Sequence, residues 1–222
     1  MKQLVLSLIP TPQPSFDNLV VGRNQEALAT LKQLNSNVGG HFQGICPKVV
    51  YLWGVSGSGK SHLLFSLASS LSILIGVTTA ETYPIMILDN VERLDDASQI
   101  QLFNAINERA LMQDGCVVVA GNVAPRDLPL RPELTSRLGS HLVYQLHPLT
   151  DTDKAAALNA HANARGFTLR DDVASYLLRH SRRDMASLMA MLDALDQYSL
   201  ETGREITLPL LKQMSQPSLL SN

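Results

Sequence analysis

The sequence predicts an α/β protein in which a parallel sheet covered by helices is followed by a small all-helical domain. Three observations carry this expectation. Apolar runs of strand length alternate with amphipathic helical stretches through the first two thirds of the chain. A glycine-rich run, GVSGSGKS at 54–61, stands between one such strand and a helix. Beyond about residue 148 only helical patterns remain.

The bulk numbers set bounds on function. With 222 residues, 45% hydrophobic and 17% charged, the chain has the make-up of an ordinary globular protein. Its formal net charge of −2 argues against a grip on DNA through many phosphates, so contact with nucleic acid is expected to be local or through a partner. Cys46 and Cys116 are too few for a disulfide framework or a zinc site and fit a reducing cytoplasm. The first residues, MKQLVLSLIPTPQPS, carry no long apolar run and no cleavage signature, so no signal peptide is expected. The longest apolar stretch, around LSILIGV, is far short of a bilayer crossing, and no membrane partner is expected.

In chain order, residues 1–14 read as an extended N-terminal arm closed by three prolines. Residues 15–148 read as a nucleotide-binding core and 149–222 as a helical lid. The core opens with a helix over roughly Gln25–Leu34 and a polar, glycine-rich loop, NSNVGGHFQG. KVVYLW is a strand, GKSHLLFSLASSL a helix, and ILIGV and IMILD are strands. DASQIQLFNAINERAL is a helix with Ile100, Phe103, Ile106 and Leu111 inward, and CVVVAG is a further strand. In the lid, Thr150 is placed to cap a helix with Asp153 three residues on, and Gly166 ends it. RDDVASYLLRH follows. A third helix carries Met185, Leu188, Met189, Leu192 and Leu195 on one stripe and stops at Gly203. TLPLLKQM makes a last short helix with Pro209 in its first turn. The methionines on the stripe read as a core seam rather than a binding face.

The chemistry concentrates around GVSGSGKS. Gly54, Val55, Ser56, Gly57, Ser58 and Gly59 form a loop whose glycines let successive N–H groups turn toward phosphate oxygens, and the following helix adds its positive end. Lys60 should reach the β/γ-phosphates, Ser61 offers a hydroxyl to Mg²⁺, and His62 completes the nucleotide-contacting run. Asp89, at the tip of IMILD, is the expected Mg²⁺ partner. Asn90 stands where a nucleotide hydrolase commonly carries a second acid, and its amide cannot take a proton from water. Glu92 would share its direction only if the strand continued, which makes it a poor substitute. Weak intrinsic hydrolysis with intact ADP or ATP binding follows.

Three further residues complete the candidate set. Asn122 closes the CVVVAG strand, where an amide can orient water or sense a phosphate, although Asn also simply favours turns. Arg137, in LTSRL, lies at a helix end on the rim of the core. There it is either an exposed cation or a finger for a nucleotide on an adjoining subunit, so a homo-oligomer is one setting for it. Arg183, in RRDMASL, begins a lid helix and could fold over the phosphates.

Together these stations resemble the AAA+ branch of phosphate-loop proteins, and within it the family of the replication initiator DnaA. SFDNLVVGRNQEAL is similar to the segment of that family that closes over adenine, and LTSRL to its arginine-finger box, with Arg137 as the finger. PLTDTDKAAAL and RRDMASL resemble its lid, with Arg183 at the sensor-two position. The resemblance covers roughly residues 15–215. Departures from DnaA point to its regulatory relatives, the Hda group. No helix-turn-helix domain is expected after the lid, and the helix after Asp89 has no insertion. LDNVE is similar to the Walker B segment of the Hda group, Asn included. Gln3, Leu4, Leu6 and Leu8 are similar to peptides that dock on the bacterial DNA sliding clamp, the bland reading being an edge strand. The segment ILIGVTTAETYP is short by a helix against the family pattern, which implies a trimmed sheet edge.

The resemblance implies a regulator that holds ADP or ATP with Mg²⁺, rides the clamp on DNA, and presents Arg137 to ATP bound by DnaA. The alternative is an autonomous DnaA-like ATPase that loads a helicase or clamp. A small-molecule kinase is disfavoured by Arg137 and by a helical lid that follows the core instead of interrupting it.

Overall fold

The computed structural model describes residues 13–37, 47–76, 85–112, 115–180 and 184–215. They belong to two compact units, Pro14–Pro148 and a second that begins at Leu149. No described helix is long and apolar enough to cross a membrane.

The first unit contains, in order, α1 (Gln25–Asn37), β1 (Val49–Trp53), α2 (Lys60–Leu71), β2 (Ile85–Leu88), α3 (Asp96–Leu111), β3 (Cys116–Gly121), α4 (Pro132–Leu138) and β4 (Leu142–Gln145). The four strands pair in parallel in the order β2-β3-β1-β4. Because strand side chains alternate, each strand serves both faces. Val50, Leu52, Ile85, Ile87, Val118 and Ala120 bury with Leu31 and Leu34 of α1 and Leu63, Leu64 and Leu67 of α2. Val49, Tyr51, Met86, Leu88, Val117 and Val119 bury with Leu102 and Ile106 of α3 and Leu134 and Leu138 of α4. This is the doubly covered parallel sheet that the sequence predicts.

Four details differ from expectation. α1 runs to Asn37, past Leu34. ILIGV does not form a strand of its own; Ile75 makes a single parallel bridge to Ile87, and residues 77–84 lie outside the described chain. α3 keeps Ile106 in the core and packs Phe103 against it, as predicted, but not Ile100 or Leu111. Leu102, Ala105, Ile106, Gln99 and Arg109 are buried, whereas Ile100 is 46% exposed and Leu111 91% exposed. Two polar residues occupy core positions, which rotates the apparent apolar stripe. Finally, β4 had no strand signal of its own, because this edge strand leaves Leu142 and Val143 exposed and so shows no clean alternation.

β2 also ends sooner than strand periodicity suggests. Asn90 takes the left-handed conformation (φ 53°, ψ 51°), and the chain turns into a short 3-10 segment, Val91–Arg93. Asn is among the few side chains that tolerate that region. Asp95 then caps α3 by accepting from the Ser98 N–H at 2.8 Å.

The second unit holds α5 (Asp151–Ala164), α6 (Asp171–His180), α7 (Met185–Thr202) and α8 (Leu208–Ser215). The expected capping box is present: Thr150 Oγ1 accepts from the Asp153 N–H, and Asp153 accepts from the Thr150 N–H. α7 buries Leu188, Leu192 and Leu195 with Leu158, Leu177 and Leu210, and Met185 and Met189 pack at the margin of this core. The methionine stripe is therefore a seam. Arg165 pairs with Asp193 and Asp196, each at 2.9 Å, and so ties α5 to α7.

Asn90→Val is expected to destabilise the protein by about 1–2 kcal/mol, since a β-branched residue is strained at positive φ, while Asn90→Gly should not. Denaturant melts of the two variants give the comparison; equal midpoints would mean the turn is relaxed in solution.

Candidate nucleotide-binding site

The parallel sheet sends the C-terminal ends of β1, β2 and β3 to one edge, and the polar residues cluster there. The loop leaving β1 must pass close under the chain leaving β4. A Cβ on Gly54 would lie 2.3 Å from the Leu146 carbonyl oxygen, so only glycine fits. Val55, Ser56 and Gly57 form the exposed crest of the loop, and the Ser58 N–H closes it on the Val55 carbonyl at 3.2 Å. Gly59, at φ 98°, is the N-cap of α2, a conformation that points the backbone into the helix start.

Lys60 is buried, 7% exposed, and its ammonium donates to the carbonyls of Gly54 at 2.6 Å and Val55 at 3.1 Å. That uses two of its three N–H donors and leaves one for an anion. Burial pulls the ammonium below its ordinary pKa, and the carboxylates of Asp89 and Glu92 oppose that shift. Ser61 Oγ donates to Asp89 Oδ2 at 2.6 Å, and Asp89 Oδ1 accepts from the Asn90 N–H at 2.8 Å. The hydroxyl and carboxylate expected to share Mg²⁺ are therefore already adjacent. Ser58 Oγ is buried with no partner among the described residues, an orphan polar atom inside the loop. No group of three or more His, Cys, Asp or Glu among the described residues could hold a metal alone. A hard cation on Ser61 and Asp89 would need phosphate oxygens and water to complete its shell, as Mg²⁺ commonly does. These residues fit a nucleoside polyphosphate with Mg²⁺.

His62 and the segment before α1 also meet. His62 Nε2 lies 3.0 Å from the Ser15 carbonyl, and the Asn24 side chain bonds the His147 backbone in both directions, at 2.9 and 2.8 Å. Residues 15–24 are thus fastened beside the phosphate loop and the exit of β4.

Asn122 follows β3 directly and donates through Nδ2 to Glu92 Oε1. Glu92 is a neighbour of Asn122 that its place in the sequence does not show. The left-handed Asn90 and the 3-10 turn bring its carboxylate to Asn122, within electrostatic reach of Lys60 and of Tyr51. Burial raises the Tyr51 phenol pKa well above its ordinary value and Glu92 adds to it; the hydroxyl donates to the Val123 carbonyl at 2.9 Å. The available signal was the Asp-Asn pair itself, a turn former directly after the strand.

Arg137 sits in the last turn of α4, exposed, with its guanidinium carbon 6.0 Å from the Phe103 ring centroid. No described carboxylate lies within ion-pair distance of it. Gln3, Leu4, Leu6, Leu8 and Arg183 lie outside the described residues.

Solved structures share this architecture. Domain III of the replication initiation protein DnaA from Thermotoga maritima superposes with a TM-score of 0.67 at 21% identity, covering 93% of this chain and 100% of that one. AMPPCP-bound DnaA from Aquifex aeolicus gives 0.63 at 18%, covering 88% and 67%. The Thermotoga maritima RuvB Holliday junction branch migration motor gives 0.60 at 18%, covering 92% and 72%. Identities this low speak for the fold, which is the AAA+ fold. Residues 151–214 match the family model of the Hda lid domain. The second unit is therefore similar to an Hda lid domain, and the chain has the fold of DnaA domain III. The family match falls in the second unit, while the polar constellation belongs to the first.

Lys60→Ala is expected to weaken ADP binding about 10-fold or more, the loss of a charge-assisted contact. Calorimetry reads it, and an unchanged affinity would remove Lys60 from the phosphate contacts.

Proposed function

We propose that this chain is a regulator of replication initiation that acts on a partner's nucleotide. It holds ADP or ATP with Mg²⁺ through the phosphate loop, Ser61 and Asp89, with Arg183 joining from the lid. It docks on the DNA-loaded sliding clamp through Gln3, Leu4, Leu6 and Leu8, so its contact with DNA is indirect. It then presents Arg137 to ATP bound by a DnaA-type initiator, which hydrolyses its own nucleotide and can no longer re-initiate. The setting is the cytoplasm.

The observation that carries this reading is the state of Arg137. A guanidinium meant for its own fold would be buried against a carboxylate, whereas this one is exposed at a helix end over the Phe103 ring, with no ion-pair partner among the described residues. A ring contact steers the fork without consuming its five N–H donors, which stay available for phosphate oxygens. The Hda lid match and the DnaA-like fold point to the same class of partner.

Arg137→Ala should leave folding and nucleotide affinity close to wild type and lower the hydrolysis of DnaA-bound ATP by about 10³-fold. Radiolabelled ATP on DnaA, chased with this chain, clamp and DNA, measures the effect; an undiminished stimulated rate would rule out the finger. Separately, replacing Gln3 and Leu4 by Ala should abolish capture on immobilised clamp while ADP still binds. Retained capture would make the arm an ordinary strand.

A further inference from the structure

We propose that Tyr51 is a positioning residue of the nucleotide site: its hydroxyl holds the turn that carries Asn122, and so sets the preference between a nucleoside triphosphate and a diphosphate. The proposal rests on the phosphate-loop reading. It is independent of the Arg137 finger, which concerns a partner's nucleotide.

Strand register puts Asn122 beside the phosphate loop. Trp53 of β1 pairs with Gly121 of β3, so Gly54 and Asn122 leave neighbouring strands at the same level. Such strands lie about 4.8 Å apart. Lys60 Nζ sits 2.6 Å from the Gly54 carbonyl, which brings the ammonium to the same stretch of the edge. Asn122 gives one of its two amide N–H donors to Glu92 and keeps the other for a phosphate oxygen. The loop's own N–H groups serve the inner phosphates, so a residue on the next strand meets what projects beyond them, the terminal phosphate.

Tyr51 lies beneath this turn. It is fully buried in β1 opposite Val119, and its phenol reaches to the end of β3. Oη donates to the Val123 carbonyl at 2.9 Å, one residue beyond Asn122. Burial keeps the phenol protonated and therefore a donor. A Cβ on Gly121 would stand 2.2 Å from Oη and 3.2 Å from Cζ. Gly121 does not take a positive φ, so its backbone does not ask for glycine. The phenol does. Ring and hydroxyl thus occupy one fixed place directly under the residue before Asn122. Phenylalanine would bury the same ring. A buried hydroxyl is costly unless bonded, and the bond it makes here goes to the turn. The hydroxyl contributes position and the ring contributes packing. Without the hydroxyl the turn loses an anchor, and the single amide contact to the terminal phosphate suffers more than the many loop contacts to the inner ones.

Calorimetry on the full chain with Mg²⁺ and either AMPPCP or ADP tests this. Tyr51→Phe should weaken AMPPCP about threefold to tenfold, the loss of one neutral hydrogen bond, while ADP shifts less than about twofold. Asn122→Ala, at an exposed position, should lower the AMPPCP-to-ADP affinity ratio at least as much. Adding Tyr51→Phe to Asn122→Ala should then change the ratio no further, because the phenol acts through that amide. A tyrosine with a structural role alone would lower the melting temperature of Tyr51→Phe and leave the ratio at its wild-type value, which overturns the proposal. A further drop of the ratio in the double variant overturns it as well. So does an unchanged ratio in Asn122→Ala, whether or not Tyr51→Phe folds. Wild-type protein that binds neither nucleotide overturns the phosphate-loop reading and this proposal with it.

Discussion

The register of three parallel strands determines where every polar group of the site can be. Trp53 is partnered by Gly121, so the phosphate loop and Asn122 leave the sheet at the same level. Leu88 is partnered by Val119, which puts Asp89 level with Ala120 and short of Asn122. Asp89 is thereby recessed toward the start of α2, where the Ser61 hydroxyl meets it. A continued strand would carry alternate side chains into the two buried faces. The turn at Asn90 avoids that outcome and lifts the next carboxylate to the level of Asn122. A slip of one residue in this pairing would exchange the two hydrophobic faces, so burial of Val49, Val50, Tyr51 and Leu52 pins the geometry of the polar edge. The site is held by the core beneath it.

Legibility in the sequence followed how local each determinant is. The phosphate loop was readable because its requirements are met by consecutive residues: glycines at Gly54 and Gly59, a cation at Lys60, a hydroxyl at Ser61. The lid was readable for a similar reason, since the Thr150 capping box and the α7 stripe are fixed by spacings of three and four. What escaped depends on neighbours distant in sequence. On α3, Phe103 and Ile106 face the core as the pattern implies, whereas Ile100 and Leu111 do not, and Gln99 takes a core position through its partners, its amide nitrogen on Leu94 and its carbonyl on the Arg131 N–H. With such partners a polar side chain can be buried, and counting apolar residues alone then misplaces part of the stripe. β4 escaped because an edge strand need not alternate. The contact between Glu92 and Asn122 escaped because thirty residues separate them.

The two units divide the work differently from the way their sequences advertise it. The match to the Hda lid lies in 151–214, where a leucine core and the Arg165–Asp193–Asp196 pairs make a small helical body. The first unit brings Lys60, Ser61, Asp89, Glu92 and Asn122 to one edge of a sheet.

Electrostatics explain why that edge carries two carboxylates and only one buried ammonium. A polyphosphate is repelled by both acids unless each is neutralised or kept apart from it. Asp89 is positioned with Ser61 for a divalent cation, which converts its charge from an obstacle into a bridge. Glu92 has no such partner, and Lys60 is already committed to two loop carbonyls. Its Oε1 is instead held by one neutral amide at a half-exposed position, with Oε2 buried. A carboxylate kept there without a cation weakens attraction for a triphosphate more than for a diphosphate. In a pocket serving only as a structural clasp for nucleotide, glutamine at this position would hydrogen-bond Asn122 without that penalty.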